Sequence, residues 1–317
     1  MTLAEAQAGD QDAFAGLVAP HRHELQVHCY RMLGSVDDAD DAVQETLVAA
    51  WRGIGGFQGR STLRAWLYRI ATNVCLRMAD QRKRRMLSWD HGPARSPDDD
   101  LGVPEPGPWL EPWVSSTDPD AAYERKESVG LAFVAALQHL PPNQRAVLIV
   151  RDVLDFSAAE AAELLDTSVA SVTSALQRAR QAVEARVDGL EQPGALASGS
   201  ERSLVTAFVD AFERRDVDAL VDLLAEDVRF TMPPLPAWFD GRDDVAGFFE
   251  RRVFAIPWRA RPVVVNDQPA LACYQEVDGV FRLSALNVLT IVDHRIAWIA
   301  SFLDPAWLSR LAVPAEL

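Results

Sequence analysis

The sequence predicts a multidomain fold, two all-α domains followed by an α+β domain. Residues 1–90 place apolar positions at three- and four-residue steps, and Pro20 is the only proline before Pro93. A second helical block runs from about Pro119 to Val187, and after Ser200 two helical stretches give way to β-branched runs bounded by turn residues. The chain has 317 residues, 49% hydrophobic and 24% charged, enough for two or three domains at roughly 100–200 residues each. The expected divisions are 1–90, a linker at 91–127, 128–188, a second linker at 189–200, and 201–317. No window approaches the roughly 18 consecutive apolar residues of a membrane span. The acidic start MTLAEAQAGDQDAF lacks the apolar core of a secretory signal. Cys29, Cys75 and Cys273 are odd in number and far apart, which suits neither a disulfide framework nor a CxxC metal site. The economical reading is a cytoplasmic protein with no membrane partner.

A net charge of -15 looks hostile to nucleic acid. Its distribution is uneven, however: residues 1–92 balance 11 basic against 11 acidic side chains, while 93–127 carry 3 against 9. Partners are chosen by patches, so DNA is not excluded.

In the first block, Ser35 with Asp38 forms a cap before DADDAVQETLVAAWRG. Val43, Leu47, Ala50 and Trp51 share one face of that helix; Asp40, Asp41, Gln44 and Glu45 lie on the other side. Such carboxylates fit a solvated face beside the positive helix end, and they fit a partner-binding one. FQGRST then supplies a loop with Phe57 and a cap at Ser61 or Thr62. In the following helix Leu63, Leu67, Ile70 and Val74 form a buried stripe. Arg69, Asn73, Arg77, Asp80 and Arg84 form a polar ladder that ends in Arg82–Arg85. The basic end suits the negative dipole terminus, solvent or phosphates. Asn73 is out of place by propensity and suits a base or ribose contact.

The second block is the most informative. Pro141 and Pro142 open one helix, and Ser157 with Glu160 forms a capping box for the short AAEAAELL. A brief turn leads to a longer helix with Val172, Leu176, Ala179 and Val183 inward. Short helix, turn and long amphipathic helix make a helix-turn-helix. The exposed positions of its second helix are Ser168, Ser171, Thr173, Ser174, Gln177, Arg178 and Arg180. Small hydroxyl residues let the backbone approach a groove, while Arg178 and Arg180 reach phosphates.

In the C-terminal third, helices fit SLVTAFVDAFERRDVDALVDLLA and DDVAGFFERRVF, and antiparallel strands fit RARPVVVND, PALACYQEVDG, VFRLSALNVLTIVDH and RIAWIASFL. Trp238, Phe239, Tyr274, Trp298 and Phe302 either line an apolar pocket or fill a concave sheet face, with His294 and Asp304 as acid/base candidates. His21, His23, His28 and Cys29 do not converge from one helix, so no metal is expected. No phosphate loop or HExxH motif occurs, and no cofactor is expected.

Taken together, DDADDAVQETLVAAWRGIGGFQGRSTLRAWLYRIATNVCLRMADQRKRR and LPPNQRAVLIVRDVLDFSAAEAAELLDTSVASVTSALQRAR resemble regions two and four of extracytoplasmic-function sigma factors of the sigma-70 family. The second block and the WLEPW linker point to the SigG-like group with a fused C-terminal domain. AFVDAFERRDVDALVDLLAEDVRFTMPP and FDGRDDVAGFF resemble a SnoaL-like cone of helices over a curved sheet. The resemblance implies a non-enzymatic promoter-specificity subunit. Asp40, Asp41, Gln44 and Glu45 would grip the clamp helices of the largest RNA polymerase subunit, with the flap of the second-largest as a further contact. Phe57, Arg69, Asn73, Arg77 and Arg84 would meet the minus-ten element, with Phe57 and Asn73 capturing an unstacked base. Ser168, Ser171, Thr173, Ser174, Gln177 and Arg178 would meet the minus-thirty-five element. Many relatives carry Arg where this chain has Thr173, which implies a different or weaker contact there. The acidic linker would run through the polymerase's basic channel, and the C-terminal domain would regulate, with a small ligand or an anti-sigma partner as candidate effector. The competing reading is a helix-turn-helix regulator with a ligand-sensing or enzymatic SnoaL-like domain.

Overall fold

A computed structural model describes residues 2–114, 130–187 and 199–317. It divides into two units, residues 1–85 with 134–186, and residues 86–133 with 187–317. Most of the second expected linker, and residues 115–127 of the first, lie outside the described residues.

The first unit is helical. Its first block comprises α1 (Leu3–Gln7), α2 (Gln11–Val18), α3 (Arg22–Leu33), α4 (Val36–Gly53) and α5 (Leu63–Gln81). Gly34 ends α3 in the left-handed conformation at φ 67°, which glycine adopts without steric cost. The Ser35 hydroxyl then accepts from the Asp38 amide at 3.2 Å and starts α4. The interior holds Leu25, Tyr30, Met32, Ala39, Leu67, Tyr68 and Cys75, all at most 1% exposed. α5 stops at Gln81, short of the basic run, with Arg82 extended at φ -116° and ψ 154°. Arg82 and Arg85 both pair with Asp38, and a continued helix would carry them away from that carboxylate.

The second block holds α6 (Leu131–Gln138), α7 (Pro142–Leu148), α8 (Ala158–Leu164) and α9 (Val169–Val187). α6 straddles the division, since residues 131–133 belong to the other unit. Arg145 of α7, 5% exposed, joins the two blocks: its guanidinium donates to the Met32 carbonyl, to the Gln138 carbonyl at 3.1 Å and to Gln138 Oε1 at 2.8 Å. Gln138 Nε2 donates in turn to the Arg31 carbonyl at 3.3 Å. Carbonyls at the end of α3, orphaned by helix geometry, thus find donors from the second block. Burial pulls the Arg145 pKa down to about 10, so the group stays charged at neutral pH.

In the second unit, α10 (Gly199–Arg214), α11 (Val217–Val221), α12 (Arg242–Phe248) and a short α13 (Pro305–Leu308) accompany a six-stranded sheet. The strands are β1 (Leu224–Thr231), β2 (Trp238–Asp240), β3 (Trp258–Val265), β4 (Gln268–Val277), β5 (Val280–Val292) and β6 (Arg295–Phe302), in the order β2-β1-β6-β5-β4-β3. The expected long helix breaks at Arg215, φ 57°, where the Asp216 carboxylate caps Ala219 at 3.0 Å. The expected antiparallel meander runs from β3 to β6, whereas β1 pairs with β6 in parallel. Its three hairpins close through Asn266-Asp267, Asp278-Gly279 and Asp293-His294, with both residues of each pair at positive φ. This is the two-residue turn whose twist matches the flanking strands.

The sheet's helix-facing side is filled by a phenylalanine cluster. Phe212 stacks near Phe208 and meets Phe249 and Phe254, while Phe230 meets Phe239, Phe248 and Phe249, all at ring separations of 5.2–6.4 Å. Among the described residues no helix is long and apolar enough to cross a membrane.

Candidate nucleic-acid interface

α4 buries Ala39, Ala42, Val43, Thr46 and Ala50, which leaves Asp41, Gln44 and Glu45 exposed and Asp40 half-buried. Asp40 Oδ1 accepts from Gln26 Nε2, and Glu45 pairs with Arg77 Nη2. The four expected residues therefore share one face at the positive end of a well-anchored helix.

α5 lies beside α4 and starts at Thr62, whose hydroxyl accepts from the Ala65 amide at 3.1 Å. Arg69, Asn73 and Arg77 are exposed at successive four-residue steps, while Leu67, Val74 and Met78 point inward. Phe57 is half-buried in the loop before α5, with its ring 5.0 Å from that of Trp66. Arg84 lies beyond the end of α5 and approaches His139 Nδ1, so it does not extend the ladder. On α5 the exposed ladder thus consists of Arg69, Asn73, Arg77 and Asp80.

A cleft of about 490 Å³ opens beside this loop, lined by Arg60, Thr62, Trp66 and Arg69 on one side and Phe156 and Glu160 on the other. Arg60 and Trp66 escaped the sequence reading. Trp66, one helical turn before Arg69, was the available signal. The cleft's closed side forms where Phe156 meets the Tyr68 ring at 6.0 Å and the Arg64 guanidinium at 5.8 Å. Glu24 supports Arg64 at 2.8 Å and Tyr68 at 3.2 Å. Burial alone would raise the Glu24 pKa, but hydrogen bonds from His21 and Arg64 outweigh it and hold the carboxyl below its ordinary value.

α8 begins with the expected reciprocal capping box: the Glu160 amide donates to the Ser157 hydroxyl at 3.2 Å, and the Ser157 amide to the Glu160 carboxylate at 2.8 Å. α9 buries Val172, Leu176 and Ala179, leaves the expected Val183 half-buried, and exposes Ser171, Thr173, Ser174, Gln177 and Arg178, with Ser168 exposed just before its first residue. The Ser168 hydroxyl accepts from the Ser171 amide at 3.1 Å, and the Thr173 hydroxyl donates to the Val169 carbonyl at 2.9 Å. Arg180, expected as a phosphate contact, is instead held by both Asp152 oxygens at 2.7 and 2.8 Å. Arg178 carries no such partner among the hydrogen bonds described for α9, and it borders an open groove with Asn143, Thr167 and Ser174.

The candidate pocket of the C-terminal third is not assembled. β-strand alternation puts Trp238, Trp298 and Tyr274 on the sheet face turned away from the phenylalanine cluster, and their polar atoms are taken. Trp238 Nε1 donates to the Gly92 carbonyl at 2.8 Å, Trp298 Nε1 to the Thr231 hydroxyl at 3.0 Å, and the Tyr274 hydroxyl to the Pro314 carbonyl at 2.9 Å. His294 sits exposed in the β5–β6 turn at φ 61°, serving the hairpin rather than a cavity. Phe239 and Phe302 are fully buried, on opposite faces of the sheet. The Asp304 carboxylate caps α13 through Ala306 at 2.8 Å. Of the histidines weighed for metal, His21 pairs with Glu24, His23 is exposed and His28 is in the core, against Thr72 at 2.9 Å.

Three family models match the chain: sigma-70 region 2 over residues 17–85, sigma-70 region 4 over 130–183, and a SnoaL-like domain over 205–299. The chain is 39% identical to the ECF RNA polymerase sigma factor SigG of Mycobacterium tuberculosis, over 99% of this chain and 86% of that protein. It is 28% identical to the ECF RNA polymerase sigma factor SigW of Bacillus subtilis, over 59% of this chain and 96% of that one. The crystal structure of the M. tuberculosis extracytoplasmic function sigma factor SigJ matches in fold. Its TM-score is 0.64 at 23% identity, covering 93% of this chain and 98% of that one.

Proposed function

Because the chain belongs to the extracytoplasmic-function sigma factors of RNA polymerase, we propose a division of labour among its surfaces. The α4 face of Asp40, Asp41, Gln44 and Glu45 binds core polymerase at the clamp helices of the largest subunit. Phe57 and Asn73 hold an unstacked base of the minus-ten element, with Arg69 and Arg77 along the same strand and Arg84 at its edge. α9 enters the major groove at the minus-thirty-five element through Ser168, Ser171, Thr173, Ser174, Gln177 and Arg178, and its domain meets the flap of the second-largest subunit. The acidic linker passes between these regions through the polymerase. The C-terminal domain carries no chemistry of its own and sets how often the promoter-competent arrangement is reached, under an anti-sigma partner or a small ligand, in the cytoplasm.

The observation that supports this most is the pairing of two exposed faces on adjacent helices. One carries carboxylates, the other an Arg-Asn-Arg ladder, and Glu45–Arg77 is their shared edge. An acidic face cannot hold DNA phosphates, so it serves a protein partner while the ladder beside it serves nucleic acid.

The test is polymerase dependence. The isolated chain should show little affinity for duplex promoter DNA, and adding core polymerase should give a sequence-specific complex. Tight operator binding without polymerase would favour the helix-turn-helix regulator instead.

A further inference from the structure

In the second unit, the chain's own residues 86–113 wrap the sheet: Trp89 covers the face opposite the phenylalanine cluster, while Pro97 and Leu101 reach the helical side, against Gly247 of α12 and the cluster itself. Ser88 is fully buried. Its hydroxyl donates to the Leu235 carbonyl at 2.8 Å and accepts from the Met232 amide at 3.2 Å. The Trp89 ring lies 4.8 Å from Trp298. Further along, the Arg95 amide donates to the Trp238 carbonyl at 2.8 Å, and the Glu105 amide to the Pro234 carbonyl at 3.0 Å. Asp98 pairs with Arg251, and Arg252 donates to the Asp98 and Asp99 carbonyls at 3.3 and 3.2 Å. At the far end the Trp113 amide donates to Asn266 Oδ1, and the Asn266 amide to the Trp113 carbonyl, both at 2.8 Å. The segment expected as a free acidic linker is thus bound at both ends and in the middle.

It is also closed on itself. The Met86 amide donates to the Pro108 carbonyl at 2.8 Å, and the Leu110 amide to the Met86 carbonyl at 2.9 Å. Closure removes from the connection between the two DNA-reading regions a contour of about 80 Å, at about 3.3–3.6 Å per residue between Met86 and Leu110.

We propose that the C-terminal domain is a receptor for segment 86–113, and that docking there restrains the sigma factor until the segment is released. This rests on the reading above that the segment threads the polymerase between region two and region four. Docked and threaded are alternative fates of the same residues. The Trp89 ring, the Asp98 carboxylate and the contour of the loop cannot serve both. The domain and the polymerase therefore compete for the segment, and whatever loosens the docked state raises the competent fraction.

A reversible lock tests this in the full-length chain. A Cβ placed on Gly247 lies 3.4 Å from Pro97 Cβ, just below the roughly 3.5–4.5 Å that a disulfide spans, so a small outward shift lets the bond form. The three native cysteines are buried. Pro97→Cys/Gly247→Cys is compared, oxidised and reduced, in transcription by core polymerase from a promoter that the wild-type chain uses. The reduced form should stay within about twofold of wild type, and the oxidised form should fall at least about tenfold and recover with reductant. Equal transcription from a fully cross-linked form would overturn the proposal. No transcript from the wild-type chain on any promoter would instead overturn the sigma-factor reading beneath it. A second variant, Ser88→Ala/Trp89→Ala, approaches from the other side. It should speed tryptic cleavage after Arg95 and raise transcription above wild type; faster cleavage without a rise would also overturn the proposal.

Discussion

On α5, Arg69, Asn73 and Arg77 stand exposed while Leu67 and Val74 hold the helix in place. On β6, Trp298 is fully buried, hydrogen-bonded to Thr231 and covered by Trp89. Both sets are functional candidates by sequence, yet only the helical set stays exposed to a partner. The difference lies in what each element must bury. An amphipathic helix packs one stripe and leaves the rest of its circumference open, so a run of polar residues there is spare. A sheet inside a two-layer domain has two faces to cover, and its large aromatics are drawn into that task.

Charge reversal at Asp40→Arg/Asp41→Arg should have the largest effect. If the α4 face is spare for the fold and needed for the partner, polymerase affinity falls at least about 100-fold by the scale of lost interfacial charge pairs. The circular dichroism spectrum and melting temperature should not change. Lost helicity would mean that the face is structural, and unchanged affinity would mean that it is not the interface.

The opposite expectation holds for Trp298→Ala. Removing a fully buried indole should cost about 3–5 kcal/mol, read as a lower denaturant midpoint for the C-terminal unit. A variant of wild-type stability would show that the aromatic is dispensable to the sheet and reopen a ligand role for it.

A smaller effect sharpens the helical side. Burial lowers the His28 pKa to about 3, helped by the charges of Arg31 and Arg64. The unfolded chain takes up that proton near pH 6.5, while the folded one does not until about pH 3. Between those values the unfolded state holds the extra proton, so stability falls as pH falls, by up to about 1.4 kcal/mol per pH unit. Urea midpoints from pH 6.5 to 5 should show this slope, and His28→Gln should remove it. A slope unchanged in the variant would assign it to other groups.

The smallest expected effect concerns Arg180. Asp152→Asn should leave the denaturant midpoint nearly unchanged, because the ion pair is exposed and screened by solvent. It should also free Arg180 to reach phosphate and steepen the salt dependence of promoter binding by about one counterion. An unaltered salt slope would place Arg180 away from DNA.

Much of the helical half was legible because caps and periodicity are local signals. Ser35, Thr62 and Ser157 cap where the sequence places caps. Val172, Leu176 and Ala179 face inward as their spacing dictates. What escaped depends on distant partners. Asp38 draws Arg82 and Arg85 away from a continued α5, and Asp152 occupies Arg180. The proline-rich segment 88–113 carries no periodicity of its own. Its binding is written in Trp238, Trp298, Arg251 and Asn266, more than 130 residues further along. His294 illustrates the reverse case, where a titratable residue invited a chemical role but a positive-φ turn explains its place.

The most direct test of the whole account is run-off transcription with purified core polymerase, the full-length chain and a fragmented genomic library. Discrete transcripts whose start sites share two upstream elements are expected from the wild-type chain, and none when Asp40→Arg/Asp41→Arg replaces it. Absence of specific transcripts from the wild-type chain, together with failure to co-purify with core polymerase, would contradict the account.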